Sequence, residues 1–343
     1  MHLLPTHTDS SLKRADPMNR PRRQWFVGVL LALVVCAHLY VISTIVRQPL
    51  NVNQQPAGSR SAIWPLHNDT IHRIGPGADL FAVYHAGWAM QQGASPYAST
   101  EEPIRTPYYY PFRYLPVVAQ TLGRLLLLFS PPLAYRLWVC ILEVILALFI
   151  LLFVTRTRDW RVGYFGVGIL LLSSPYFLEV HMGQFTFATL CLFAIGLLCL
   201  EPQGARIRGL WTQVLGAVSC IGAMLLKVFP IVAGPALLRH RRTRRVLLLA
   251  VIALWLASVP YFASHPQDLA TFYVANFAQP VGGMDAGNHG FTYLIYRLAT
   301  DLHIQWILRD WLGFLTRWRY LIIALTALVV LVVEVALLVN RDQ

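Results

Sequence analysis

Asp79, Glu179 and Lys227 are the residues of this sequence whose charge and setting point to chemistry. Asp79 follows the turn-forming run Gly75-Pro76-Gly77 and precedes Leu80, Tyr84, Gly87, Trp88 and Gln91, which recur at helical spacing until Gly93 and Pro96 stop the pattern. That spacing predicts a short amphipathic helix at a membrane interface with Asp79 near its amino end. A carboxylate there can take a proton from a hydroxyl, and it is equally a preferred helix N-cap. Glu179 stands where an apolar run ends, as a rival base or as the partner of a nearby arginine. Lys227 closes another apolar run, where an ammonium can meet a phosphate or snorkel to an interface.

The elements that must position these residues are set by hydropathy. Of 343 residues, 56% are hydrophobic and 13% charged, and the mean hydropathy is +0.53. One globular core could not bury that much apolar surface, so a bilayer has to be the solvent and the expected fold is all-α and polytopic. Residues 1–24 read as a disordered tail and 25–343 as the transmembrane domain, with 47–113 as a large first loop. Trp25 to Val46 is expected to be an uncleaved signal anchor. Further apolar runs are Tyr114 to Phe129, Tyr135 to Val154, Val162 to Phe177, Phe185 to Leu200, Leu210 to Leu226, Val246 to Phe262 and Tyr320 to Val339. Cys36, Cys140, Cys191, Cys199 and Cys220 lie inside apolar runs without ligand spacing and read as packing residues.

The net charge of +12 excludes little by itself, because much of it sits beside apolar runs and reports topology, not nucleic-acid binding. Arg20, Arg22 and Arg23, then Arg156, Arg158 and Arg161, then the cluster from Arg239 to Arg245 are expected in the cytoplasm. The first loop, Glu179 to Gln184, Lys227 and Ser264 to Gln305 then share the outer face. With the loop outside and Arg156 inside, Tyr114 to Val154 must cross an odd number of times. Tyr114 to Phe129, with Pro116, Gln120, Gly123 and Arg124, is therefore expected to be re-entrant or interfacial.

The outer face so assembled holds Asp79, Tyr84, Tyr97, Tyr108, Tyr109, Tyr110, Arg113, Glu179, His181, Gln184, Lys227, Asn288, His289 and Arg297. Such a set suits a membrane-anchored donor carrying a phosphate and a polyol acceptor needing a base and hydrogen-bonding or stacking side chains. Several members have plainer uses. Tyr108, Tyr109 and Tyr110 fit an interfacial aromatic belt as well as a sugar platform, Gln184 an interhelical hydrogen bond, and His181 and His289 ordinary loop positions.

Ala78-Asp79-Leu80-Phe81-Ala82-Val83-Tyr84 through Gln92-Gly93-Ala94-Ser95-Pro96-Tyr97, followed by Tyr108-Tyr109-Tyr110-Pro111, resembles the first outer loop of glycosyltransferase family eighty-seven, within the GT-C superfamily. Gly183-Gln184 after Ser174-Pro175, Lys227-Val228-Phe229-Pro230 before a basic cluster, and Gly287-Asn288-His289-Gly290 with Arg297 behind it extend the similarity. Asn288-His289-Gly290 departs from the Asn-Gln-Ser expected there, and the chain ends soon after Val339, so late helices of that architecture are expected to be missing.

The resemblance implies a GT-C type helical bundle and an inverting, metal-independent hexosyltransferase. Its donor would be a polyprenyl-phosphate sugar, mannose by resemblance, and its acceptor lipid- or glycan-linked, on the extracytoplasmic face of a cytoplasmic membrane. Asp79 would be the general base. Lys227, with Arg113 or Arg297, would meet the charge of the leaving phosphate, and Gln184, His181, His289, Asn288, Tyr84, Tyr97, Tyr110 and Glu179 would contact donor or acceptor. No Asp-x-Asp pair flanks Asp79, so no metal ligands and no cofactor are expected. Besides donor, acceptor and membrane lipids no partner is expected. Two other classes remain: a secondary transporter or flippase of a lipid-linked sugar, and a non-catalytic subunit that binds a lipid-linked glycan.

Overall fold

A computed structural model describes residues 20–50, 75–97, 105–157, 159–200, 209–227 and 241–278, with the single positions 230, 303, 328 and 332. Among the described residues every regular element is helical. Helix α1 (Arg20–Val46) begins five residues ahead of the apolar run and carries it whole. After the first loop come α2 (Ala78–Gln91) and a compound helix α3 (116–126), in which Pro116–Val118 and Arg124–Leu126 flank a π-helical turn, Ala119–Gly123. Then follow α4 (Pro131–Arg156), α5 (Trp160–Leu171), α6 (Ser174–Met182), α7 (Thr186–Leu200), α8 (Leu210–Leu226), α9 (Arg241–Ser264) and α10 (Pro266–Tyr273), the last running on into a π turn, Val274–Ala278.

Three of these helices, over Val27–Val46, Pro131–Thr155 and Thr243–Ser264, are long and apolar enough to cross a bilayer, and α5 with α6 makes a fourth if the bent pair counts as one span. Their outer faces expose large apolar side chains such as Leu33, Leu148, Phe165 and Trp255, which only lipid would accommodate in such number. The chain is a polytopic helical membrane protein.

Between the first loop and Arg156 only α4 has the length of a span. At about 1.5 Å per residue α3 covers roughly 16 Å, half of the ~30 Å hydrocarbon core, so α3 is too short to span. The expected single run from Val162 to Phe177 is interrupted. Leu172 and Ser173 separate α5 from α6 by a bend of 40°, and Pro175, which has no amide hydrogen to donate, opens the second piece. The apolar run Tyr320 to Val339 lies outside the described residues apart from two positions.

Helix α2 differs from the expected interfacial amphipath. Leu80, Phe81, Val83 and Ala86 are fully buried, as are most of its other residues. The physical reason is a pair of glycines. A Cβ on Gly87 would stand 2.4 Å from the backbone carbon of Gly123 in the π turn of α3, and one on Gly123 would stand 2.7 Å from the carbonyl oxygen of Val83. The two backbones therefore touch, and α2 is enclosed by protein instead of lying on lipid. Helices α7 and α8 meet in the same manner: a Cβ on Gly196 would fall 2.4 Å from Cys220 Sγ, and one on Gly216 would fall 3.1 Å from the Gly196 carbonyl oxygen. All five cysteines are free, with Cys191 and Cys220 buried and Cys36 and Cys140 exposed.

The bundle thus has two unlike ends. The start of α1, the junction of α4 with α5 and the start of α9 carry the arginine clusters, while Arg47, Arg113, Arg124 and Arg136 stand singly toward the other end. The opposite end gathers α2, α3, the end of α6, the start of α7, the end of α8, and α10.

Gly87→Ala should destabilise the protein by about 1–3 kcal/mol, the usual cost of forcing atoms into a closed contact. Gly168→Ala, in α5 where an added Cβ meets nothing within 4 Å, should leave stability unchanged or raise it. Melting of both variants in detergent checks the contrast.

Candidate active site

Two glycine turns build the site. Gly77 adopts φ 78° and serves as the N-cap residue of α2, with no side-chain capping bond. Asp79 therefore sits in the first turn of the helix and is not its cap, which corrects the N-cap alternative and leaves the carboxylate for other partners. Tyr108 fixes this turn by donating its hydroxyl to the carbonyls of Gly75 and Pro76. Gly183, at φ 64°, ends α6, where its N–H reaches Val180 O and the N–H of Gln184 reaches Glu179 O. That pattern is the Schellman closure, which needs a residue able to adopt positive φ. The two turns interlock: Gly77 N–H donates to His181 O at 2.7 Å, and a Cβ on Gly183 would lie 3.2 Å from Gly77 Cα. Asp79 and Gln184 are thereby brought together.

The Asp79 carboxylate accepts hydrogen bonds from the Tyr114 hydroxyl and the Gln184 amide. Lys227 and Arg113 act on it through their charges. Removal from water is the largest influence and raises its pKa above the ordinary carboxylate value, while Lys227, Tyr114, Arg113 and Gln184 pull the other way in that order. Burial likewise pushes the Tyr114 phenol well up, with the Asp79 and Glu179 charges adding to it, so Tyr114 remains a donor. Tyr110, half-buried, also lies within the fields of Asp79 and Arg113.

Lys227 arrives from the other side of the bundle. It is the C-cap of α8, and its Nζ donates to Thr186 Oγ1 at 2.7 Å and stands 5.6 Å from the centroid of the Tyr114 ring. The glycine contacts between α7 and α8 set this arrival, since they hold the end of one helix beside the start of the other. Glu179 accepts the Phe187 N–H at 2.7 Å and that of Thr186. It caps the amino end of α7, where a carboxylate is favoured. Its partners are backbone amides, and not the arginine allowed for in the sequence.

Asp79, Gln184, Lys227, Tyr110, Arg113 and Glu179 thus converge. Tyr84 and Tyr97 are turned inward instead: each is 6% exposed, and their hydroxyls donate to Phe129 O and Tyr114 O. Tyr97 so orients the residue that holds Asp79. It is itself placed by a latch in which Ser95 Oγ and the Tyr261 hydroxyl donate to the two oxygens of Asp268 at 2.6 Å and 2.5 Å. The His181 side chain is fully buried. Asn288, His289 and Arg297 lie outside the described residues. Sequence reasoning missed Tyr114 and Thr186 as site residues. The only signal for either was adjacency to a motif, Tyr114 following Arg113 and Thr186 following Gln184.

The model of glycosyltransferase family 87 matches residues 108–343. No curated protein and no solved structure matches the chain. The match takes in Tyr110, Arg113, Glu179, Gln184 and Lys227 and begins after α2, so Asp79 lies outside it. Covering well over half of the sequence, it establishes that the chain belongs to glycosyltransferase family 87.

A carboxylate whose pKa is raised on folding is protonated more readily in the folded chain than in the unfolded one. Its stabilising contribution is full below the ordinary carboxylate pKa and is lost as pH rises through the folded value. Above that raised value the partly buried Asp79 charge therefore costs stability. Asp79→Asn should melt no lower than the wild type there, and any gain should disappear as pH falls through the raised pKa toward the ordinary one. Melting curves of both proteins over that range check the sign.

Proposed function

We propose that this membrane glycosyltransferase moves a sugar, mannose by resemblance, from a polyprenyl-phosphate donor to a lipid- or glycan-linked acceptor, with Asp79 as general base. The observation that carries the reading is the joining of a half-buried carboxylate and a lysine in one polar cluster at a single end of the bundle. In this scheme Asp79 takes the proton of the acceptor hydroxyl as its oxygen bonds to the anomeric carbon. The bond from that carbon to the phosphate oxygen breaks on the opposite face, inverting the centre, and polyprenyl phosphate leaves with the electron pair. Lys227, already beside Thr186, meets the phosphate charge, and Arg113 assists. Tyr114 and Gln184 hold the carboxylate in place, and their donation opposes the pull of burial without outweighing it.

The membrane sidedness belongs to the same proposal. Arginines cluster at the ends remote from Asp79, and cytoplasmic segments carry such excess, so the cluster faces the extracytoplasmic side of a cytoplasmic membrane. There the donor's phosphate lies at headgroup depth while its isoprenoid stays in lipid. Donor and acceptor, with bilayer lipids, are the only partners the reading requires, and the transfer needs neither metal nor cofactor.

Asp79→Asn tests it, because the helix does not depend on Asp79 for its cap. With radiolabelled polyprenyl-phosphate mannose, turnover should fall about a hundredfold to ten-thousandfold, the usual cost of losing a general base, in a protein that still inserts and melts normally. Near-normal turnover in Asp79→Asn, with its loss in Glu179→Gln, would move the base to Glu179. Transfer by the wild type should also persist in excess EDTA. A requirement restored by manganese or magnesium would overturn the lysine's part in leaving-group stabilisation.

A further inference from the structure

A second polar cluster lies away from the site, inside the membrane-spanning part. His38 of α1 is 2% exposed. Its Nδ1 lies 2.7 Å from the carbonyl oxygen of Leu171 and its Nε2 lies 2.9 Å from Glu143 Oε2. Tyr176 of α6 donates its hydroxyl to Glu143 Oε1 at 2.8 Å. Glu143 is halfway along α4, far from either aqueous end. Ionisable groups at such depth are costly and usually have a task, yet nothing in sugar transfer at Asp79 uses these three.

The proton count is determined by the partners. A carbonyl oxygen only accepts, so Nδ1 of His38 carries hydrogen. Between Nε2 and Oε2 one further hydrogen must lie, whether imidazolium faces carboxylate or neutral imidazole faces carboxylic acid. Either way the pair is neutral overall. The Leu171 carbonyl needs a partner because the bend between α5 and α6 removes its helical one, and no water is at hand in the hydrocarbon core.

We propose that His38, Glu143 and Tyr176 are positioning residues: a neutral hydrogen-bonded network that pins the bend and thereby sets where α6 delivers Gly183 and Gln184. Tyr176 is in the first turn of α6, stacked on His38 at 5.9 Å and edge-on to Phe187 at 4.8 Å. Gly183 and Gln184 close the far end of the same short helix. Below the bend α1 and α5 part, leaving an apolar groove of about 1200 Å³ lined by Val27, Leu30, Trp160, Tyr164 and Phe165. Beside its apolar packing, α1 hydrogen-bonds the broken helix at the bend through His38. What the network supplies is direction and length of hydrogen bonds, and its charge is dispensable. The proposal rests on the reading of Asp79 and Gln184 as site residues.

The test compares Glu143→Gln with Glu143→Leu in nanodiscs, using transfer assays and hydrogen–deuterium exchange of residues 172–184. Glutamine can accept from Tyr176 and donate to Nε2 of neutral His38, so Glu143→Gln should keep wild-type exchange and turnover. Glu143→Leu should exchange faster over 172–184 and lose about tenfold to a hundredfold in kcat, the scale of a displacement of up to 1 Å at a reacting centre, with the donor KM little changed. Should Glu143→Leu fail to insert, Tyr176→Phe removes one bond only and should show a smaller rise in exchange over the same residues. Equal damage in Glu143→Gln and Glu143→Leu would overturn the proposal, because charge would then matter. Unchanged exchange in Glu143→Leu, or in Tyr176→Phe where that variant stands in for it, would overturn it too. The exchange readout does not depend on sugar transfer, so a wild type that transfers nothing would refute the catalytic reading while the network is still measured.

Discussion

Everything at the site end depends on the contact between two left-handed glycine turns. Gly77 opens α2 and Gly183 closes α6, and the backbone of one lies against the backbone of the other, so that a Cβ on Gly183 would fall 3.2 Å from Gly77 Cα. Asp79 and Gln184 are each within two residues of that contact, so their meeting follows from the chain's geometry and needs no flexible side chain to search for it. The rest of the fold can be understood as bracing. Tyr108 holds the first turn through its carbonyls, Tyr135 donates to Val180 O and Trp138 to Gln184 O beside the second, and the Gly87–Gly123 contact anchors α2 from behind.

The electrostatic arrangement has a consistent logic. A carboxylate enclosed by protein tends to take up a proton, and a base must not. Tyr114 and Gln184 donate to Asp79 while Lys227 and Arg113 supply positive charge, all opposing the effect of burial. Glu179 lies close by and accepts from the amides at the start of α7. Two carboxylates in one neighbourhood are thus given different surroundings, one bonded to backbone amides and one to side chains. Lys227 reaches them because α7 and α8 carry glycines, Gly196 and Gly216, where they cross, a packing device suited to a medium in which apolar surfaces gain nothing from hiding.

Much of the architecture was legible in the amino-acid sequence. The apolar runs located α1, α4, α7, α8 and α9 to within a few residues, and the charge argument that forbade Tyr114–Phe129 from spanning agrees with the shortness of α3. Asp79, Gln184 and Lys227 stood out by type and setting, and they do converge. What escaped were features made by tertiary contact. The bend at Leu172–Ser173 was hidden because both halves are apolar, though Pro175 marked it. The enclosure of α2 could not be read from its own periodicity, since it depends on a glycine in another helix. Tyr84 and Tyr97 were expected to contact donor or acceptor, whereas their hydroxyls meet carbonyls 45 and 17 residues away. His38 and Glu143, 105 residues apart, each carried a signal as polar groups inside an apolar run, but nothing local pairs them.

The central claim is that one cluster receives both the donor phosphate and the acceptor hydroxyl, on either side of the anomeric carbon. A structure of the protein in nanodiscs with a non-transferable polyprenyl phosphonate sugar bound measures this directly. The account predicts the phosphonate within hydrogen-bonding distance of Lys227 Nζ, with the sugar carbon between it and the Asp79 carboxylate. A phosphonate seated away from Lys227, or an anomeric carbon that Asp79 cannot approach from the face opposite the phosphonate, would contradict it.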